Sequence, residues 1–501
     1  MKHKNDLFDL IQSMSKSEKR YFSLDAKKSG RNSNRYLDLF KEVNRMETYE
    51  EEKLQRKFGS SLPTDKHYLY NAILKSMRDY NSSKSKAARV KEMLLDAKYL
   101  YKRGLYHQSE ERLTQAKTLA KELDDQLALL EISREQLNFV WTMKQRDYGT
   151  QIEALLTDKD EYIRHINEEL RYLSLSYKIQ VAKEQRQSAD RQARSEAFSR
   201  QLKSQSAPFP ATAHAQRRFL QSHALLNDLT GDIDKANTFY ARMVEWWDEH
   251  PDIKGEEYNR YLADAFNLLH ASYSQKKYNQ FEQLLSKIQQ EKPGSYHDQV
   301  LVFKQLTNYQ LLYHINLGIE EGYELLLERV EEGMGAYKLN PVSQLIIAFN
   351  VTVLLLILER HEECRLWADK VLNHYNRKVE SEQFRLATLL IRLIATFDLE
   401  DIDGFDSTLR AFQRSIRQRK TDTPTAFFKS CAKYLKKMQD QPSGSRQDTT
   451  QQLAGFLEKY KGDPPERVPL GLDDLMLNWV ESQIKNIPLK EVLRALTQSK
   501  T

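Results

Sequence analysis

The chain is poor in the residues that staple or punctuate a fold. Two cysteines, Cys364 and Cys431, occur in 501 residues. They cannot build a disulfide framework, which fits a reducing cytosol. Glycine (16) and proline (12) are scarce for this length. Few breakers therefore interrupt the helices that abundant Leu, Glu, Lys, Gln and Arg favour. The most apolar run, LIIAFNVTVLLLIL at 345–358, falls short of the roughly 20 residues of a membrane span. Asn350 and Thr352 also interrupt it, so it reads as a core helix. The opening MKHKNDLFDLIQSM places acids and amides where a signal peptide is apolar. These features predict a cytoplasmic protein without membrane insertion.

Chemistry-bearing motifs are lacking too. There is no phosphate-cradling Gly-rich loop, no G-x-S-x-G elbow, no H-E-x-x-H and no paired C-x-x-C. HEEC sets His361 and Cys364 three apart, but a metal site wants about four ligands, and Cys364 reads as packing. DLEDIDGFD at 398–406 looks at first like a calcium loop. With Gly404 at the glycine site, however, Leu399 and Arg410 fall where ligands belong. Its acids more simply favour a helix N-terminus near Phe405. No catalysis, no cofactor and no metal site is expected.

What the chain does have is helix with a recurring junction. Mean hydropathy is −0.71, and 20 Phe and 26 Tyr argue against disorder. The net charge of +6 is uneven, with 20 Lys and Arg against 12 Asp and Glu in residues 1–90. That region reads as five short helices. One opens on a Ser15–Glu18 capping box, and the last carries Leu69, Ile73, Met77 and Tyr80 on one face. From about residue 85, long amphipathic segments alternate with short turns. Gly104 precedes Tyr106, Ser109, Leu113 and Ala116 at offsets of two, five, nine and twelve, and Gly231 precedes Ile233, Ala236, Tyr240 and Met243 likewise. Lys276, Glu359 and Asp403 open comparable series, and Gly318 opens a partial one. Anchors at 231, 276, 318, 359 and 403 lie 45, 42, 41 and 44 residues apart. Missing anchors are expected near Arg146 and near Ser188. A period of about 42 holds two helices of four to five turns each. The turn residue ends the first helix, the residue two on wedges the turn, and the next site lets two helices approach closely. Such a hairpin covers its apolar stripe by stacking on the next one.

The series resembles the tetratricopeptide repeat. Ala97 and Ala224, seven residues before Gly104 and Gly231, match that family's small site. Pro293 matches its closing proline, and Pro251 falls three residues late. The match is good over 90–123 and 217–251 and partial in four other units. That family's period is 34 residues, and HEAT-like arrays lie nearer 42. Phe281 stands where a small residue is expected, and Leu269 and Leu311 where alanine is. SMSKSEKRYF is similar to the start of uncharacterised bacterial helical-repeat proteins.

The resemblance implies an all-α, right-handed α-solenoid of antiparallel helix pairs. A basic N-terminal helical domain would occupy 1–84, the array 85–440 and C-terminal capping helices 441–501. It implies a protein-interaction scaffold whose first helices line a groove. Carried over unit by unit, it nominates Lys91, Lys98, Tyr101 and Lys102, then Arg218 and Gln221, then His270, Tyr273, Asn308 and Asn316. Lys and Arg at the groove's start would favour an acidic protein or peptide. Near Phe349, Val353 and Leu356 the groove is expected to be closed by other helices or to dock an apolar one. The rival reading is nucleic-acid contact through Lys66, His67, Tyr70, Asn71, Lys75 and Arg78, facing away from an apolar side. The break before that helix is longer than a helix-turn-helix usually has.

Overall fold

The computed structural model describes residues 5–28, 33–82, 84–144, 146–184, 191–203, 209–418, 425–442, 445–462 and 468–498. Helices follow one another throughout, with no strand among the described residues. The anchor expected near Ser188 lies outside them. The chain divides into two compact units, Met1–Gln299 and Val300–Thr501. The division falls inside the helix Tyr296–Leu317.

The first unit begins with five helices, Asp6–Ser13, Lys16–Lys28, Ser33–Arg45, Glu51–Phe58 and Leu62–Ser82. They gather around Leu7, Ile11, Leu39, Val43, Leu69 and Ile73. The capping box forms: the Ser15 N–H donates to Glu18 Oε2 at 2.7 Å and the Glu18 N–H to Ser15 Oγ at 3.2 Å. Pairs of helices follow: Lys86–Lys102 with Tyr106–Glu122, Gln126–Met143 with Tyr148–Glu184, Ala213–Thr230 with Ile233–Glu249, and Tyr258–Ser274 with Tyr278–Gln290. The junction expected near Arg146 is Lys144, whose φ of 43° ends its helix. Beyond it the chain runs 37 residues, Tyr148–Glu184, in one helix.

One closing device recurs in both units. Backbone φ is positive at Gly104, Asp124, Gly231 and Lys276 in the first, and at Gly318, Glu359 and Glu400 in the second. The next residue's N–H then donates to a carbonyl five residues upstream. Leu105 bonds Leu100, Asp125 bonds Ala120, Asp232 bonds Asn227 and Lys277 bonds Ser272. Ile319 bonds His314, Arg360 bonds Leu355 and Asp401 bonds Thr396, and all seven bonds measure 2.9–3.1 Å. This bond satisfies a carbonyl left open by the helix end. Glycine takes the left-handed turn without strain, whereas Lys276, Glu359 and Glu400 hold it at roughly 1 kcal/mol each.

Asp403 is not a junction. It lies in the first turn of Ile402–Arg417, and Glu400 makes the turn. Asp401 caps that helix by accepting the Gly404 N–H at 2.9 Å, so Asp403 and Gly404, which suggest a turn, lie in its first turn. Counted from Glu400, the buried Phe405, Leu409 and Phe412 take offsets five, nine and twelve, in place of Thr408 and Ser415. The residue at offset two is also no general wedge. Tyr106 meets Tyr101 with ring centroids 5.2 Å apart, but Ile233 and Ile402 are 50% and 63% exposed. The next site behaves alike in two distant hairpins. Ser109 Oγ donates to the Ala97 carbonyl at 2.8 Å, and Cys364 Sγ to the Thr352 carbonyl at 3.4 Å. Each joins the residue five after a junction to the residue seven before it. Ion pairs some forty residues apart tie successive hairpins, as in Lys117–Asp158, Lys277–Asp234 and Lys370–Glu331. The fold is therefore all-helical and repeat-like.

Two helices of the second unit are enclosed. Pro341–Ile357 and Glu382–Asp398 bury residues on nearly every side. Phe349 and Leu356 are buried, Val353 is half-buried, and Phe349 meets Phe384 edge-on at 5.1 Å. Neighbouring helices thus close this stretch, one of its two expected outcomes. The last helices, Leu472–Lys485 and Leu489–Gln498, run back across the hairpin junctions. Trp479 Nε1 donates to Asp398 Oδ2 at 2.9 Å, the Leu489 N–H to Glu359 Oε1 at 2.9 Å, and Lys490 Nζ to Glu320. At Gly318, φ is +60° and a Cβ would stand 2.5 Å from the Lys490 carbonyl oxygen. Only glycine admits that crossing.

Candidate functional site

The nominated groove residues do not form one basic surface. Lys98 Nζ lies 2.6 Å from Glu131 and 3.7 Å from Glu135, and Lys91 lies 4.0 Å from Glu131. Tyr101 Oη is 2.5 Å from Thr142 Oγ1. These three residues tie Lys86–Lys102 to Gln126–Met143. The hydrogen bond from Lys98 holds the Glu131 carboxyl below its ordinary range, so carboxylates match the cations offered to an acidic peptide. Lys102 is exposed. Arg218 Nη1 donates to Gln221 Oε1 at 2.9 Å, and both are half-buried. Burial, with Arg217 and Arg260 nearby, lowers the Arg218 pKa. His270 is exposed on Tyr258–Ser274, where Tyr273 packs at 5.7 Å on Phe281. Asn308 is half-buried and Asn316 exposed on Tyr296–Leu317.

The N-terminal basic face is split. His67, Asn71, Lys75 and Arg78 are exposed along one stripe of Leu62–Ser82. Lys66 is buried, its ammonium 2.6 Å from Tyr49 Oη and 3.4 Å from Glu51, and 5.1 Å from the centre of the Tyr49 ring. Its stem covers apolar neighbours while its charge finds an acid and a ring. Tyr70 packs against the N-terminal core. Several other cations of these five helices are paired, among them Arg35 with Asp65, Lys57 with Glu42 and Lys41 with Asp38.

Among the described residues no group of three or more His, Cys, Asp or Glu could hold a metal. Cys364 is buried, and burial pushes its thiol up. His361 Nε2 stands 3.9 Å from Asp398 Oδ2. Burial pushes the Asp398 carboxyl up to about 7; the Trp479 hydrogen bond opposes this and Glu359 adds to it. In the first unit, Asp264 Oδ2 accepts from Arg217 Nε at 2.8 Å and Trp247 Nε1 at 2.9 Å, with Arg217 over the Trp247 ring. Both clusters lie inside the packing, where they order helices. Trp479 and Asp398 are 81 residues apart in sequence, which no local pattern can reveal.

The surface that sequence reading missed is apolar. On Gln126–Met143, one face buries Ala128, Leu129, Ile132 and Phe139. A second row carries Leu127, Leu130, Leu137 and Trp141; Leu127 is 65% and Trp141 59% exposed, Leu137 is half-buried, and Leu130 packs in part against the core beneath. Leu127, Leu130, Arg134, Leu137 and Lys159 help line a cleft of about 470 Å³. The spacing 127, 130, 137, 141 is visible in the sequence. Two apolar faces on one helix obscure which of them is left outside. On the next helix, Ile163, Leu170 and Tyr177 are likewise exposed.

No protein-family model, no curated protein and no solved structure matches the chain. Among the described residues no helix is long and apolar enough to cross a membrane.

Proposed function

We propose that the chain is a protein-interaction scaffold of the cytoplasm, a tetratricopeptide-like array of helical hairpins that binds a protein segment and catalyses nothing. The second apolar face of Gln126–Met143 carries this reading. An apolar row that internal packing covers only in part marks an interaction site, and covering an exposed side chain such as Leu127 contributes roughly 1.5–3 kcal/mol. A right-handed solenoid with a period near 42 fits the junctions at 231, 276, 318, 359 and 400, which lie 45, 42, 41 and 41 residues apart. Because Lys91 and Lys98 already face Glu131, apolar contact rather than basic charge is the better basis for recognition on these helices.

The test compares the full chain with a Leu127→Glu, Trp141→Glu double variant, each immobilised and exposed to lysate with and without nuclease. Circular dichroism checks that the variant stays helical. The reading expects a discrete set of proteins that survives nuclease and is lost from the variant. Identical retention by both would overturn it. Loss of every retained protein on nuclease treatment would instead favour nucleic-acid binding at His67, Asn71, Lys75 and Arg78.

A further inference from the structure

We infer that the helix pair Ile402–Arg417 and Ala426–Gln439 grips the phosphate backbone of a nucleic-acid duplex without reading its bases. This goes beyond the scaffold reading and does not rest on it. Residues 407–439 hold nine Lys and Arg and one acid, Asp422. Of these, Arg419, Lys420 and Asp422 lie outside the described residues. The two helices run antiparallel, because Phe412 meets Phe428 at 6.1 Å and Lys436 meets Asp406 at 3.4 Å. That ion pair is partly exposed and marks the solvent side of the seam between them. At about 100° per residue, Arg410 and Arg417 lie within about 40° of Asp406, and Lys429 and Lys433 within about 60° of Lys436. All four are exposed. Arg414 and Lys437, also exposed, widen the patch on either side. Two rows of cations therefore flank one seam, on helix axes about 8–10 Å apart.

Little within the fold neutralises this cluster. In other hairpins a lysine ties to an acid of a neighbour, as in Lys117–Asp158 and Lys370–Glu331. Here Lys436 takes both bracketing acids, Asp406 and Asp440, and Lys437 donates to Gln452 at 3.0 Å. Arg410, Arg414, Arg417, Lys429 and Lys433 pair with no acid among the described residues. Like charges one turn apart, as in Arg410–Arg414, Lys429–Lys433 and Lys433–Lys437, work against a helix. A polyanion turns that repulsion into attraction. Between Asp403 and Gln439 no large apolar side chain is exposed among the described residues. The patch thus offers no anchor for a partner helix, no apolar wedge for a membrane and no ring on which an unpaired base could stack. Charge is its handle, and a duplex supplies a dense match, about one phosphate per 1.7 Å of axis. Such contacts fix position and carry no sequence information.

The probes are two labelled DNA duplexes of about 20 base pairs and unrelated sequence, and one labelled single strand, read by fluorescence anisotropy on the full chain. Both duplexes are expected to bind alike, within about twofold, and more tightly than the single strand. Their affinity should fall about a hundredfold between about 50 and about 200 mM salt, as about four phosphate contacts require. Lys429→Gln with Lys433→Gln should weaken both duplexes equally, at least about tenfold, and lower the slope of log affinity against log salt by about two. Arg410→Gln with Arg414→Gln should do the same. Circular dichroism and thermal melts check that each variant stays folded, and all four side chains are exposed. Lys75→Gln with Arg78→Gln, in the first unit, should leave duplex binding unchanged. No binding at low salt, indifference to the variants of this helix pair, or an unaltered salt slope would overturn the inference. So would tighter binding of the single strand, of polyglutamate or of phosphatidylserine vesicles, or a loss that follows Lys75 and Arg78 instead. Leu127→Glu with Trp141→Glu should leave the duplex bound, so this result and that of the scaffold test are read apart.

Discussion

The two units build hairpins with one device and finish them differently. In the first, Gln126–Met143 and Tyr148–Glu184 each keep an apolar face outside, with Leu127, Trp141, Leu170 and Tyr177 in solvent. In the second, Pro341–Ile357 and Glu382–Asp398 are covered on nearly every side, and the last helices return across Glu320, Glu359 and Asp398. The left-handed junction and its backbone bond are common to both. Junction geometry therefore sets where a helix turns back, while packing against other segments sets how much of each helix stays outside; in the second unit Leu325, Leu366 and Ile402 remain exposed.

The sharpest contrast is between two tryptophans. Trp479→Ala in the enclosed unit removes a buried ring and strips a donor from Asp398, and should cost about 3–5 kcal/mol in denaturant unfolding. Trp141→Ala in the open unit should stay within about 0.5 kcal/mol. Equal losses would break the comparison. Asp398 sharpens it through pH. Its folded-state pKa of about 7 lies above the ordinary 3.8, so the native state holds the proton more tightly than the unfolded one. Stability from this group is fully present below about pH 4 and declines by roughly 1.4 kcal/mol per unit up to about pH 7. Asp398→Asn removes that slope, so its advantage over the parent protein should widen from pH 5 to pH 7; a constant difference would exclude the account. At the shared junctions, Gly231→Ala should destabilise by about 1 kcal/mol and Glu400→Gly should stabilise by about 0.5 kcal/mol in thermal melts. Shifts of the same sign would refute a common turn. The smallest effect is expected at the groove: Lys98→Ala removes a partly exposed ion pair with Glu131 and should cost at most about 0.5 kcal/mol, less in high salt.

Local features were the legible ones. The Ser15–Glu18 box, the junctions at Gly104, Gly231, Lys276, Gly318 and Glu359, and the core helix at 345–358 all depend on residues within a few turns of one another. Asp403 misled because the acids and glycine of DLEDIDGFD serve a helix start as readily as a turn. Lys66 misled because a lysine stem packs like an apolar residue once Tyr49 and Glu51 come near. For the candidate surfaces, the spacing of Leu127, Leu130, Leu137 and Trp141 is plain in the sequence, but their exposure is not.

The amino-acid sequence by itself determined that this protein is helical and where most of its helices reverse, because helix propensity and helix ends are set by neighbours along the chain. Only the tertiary structure decided which of two apolar faces stays outside, which lysines meet carboxylates, and that Trp479 returns to Asp398. Those outcomes depend on segments tens of residues apart arriving side by side, and helical periodicity records a face without naming what covers it.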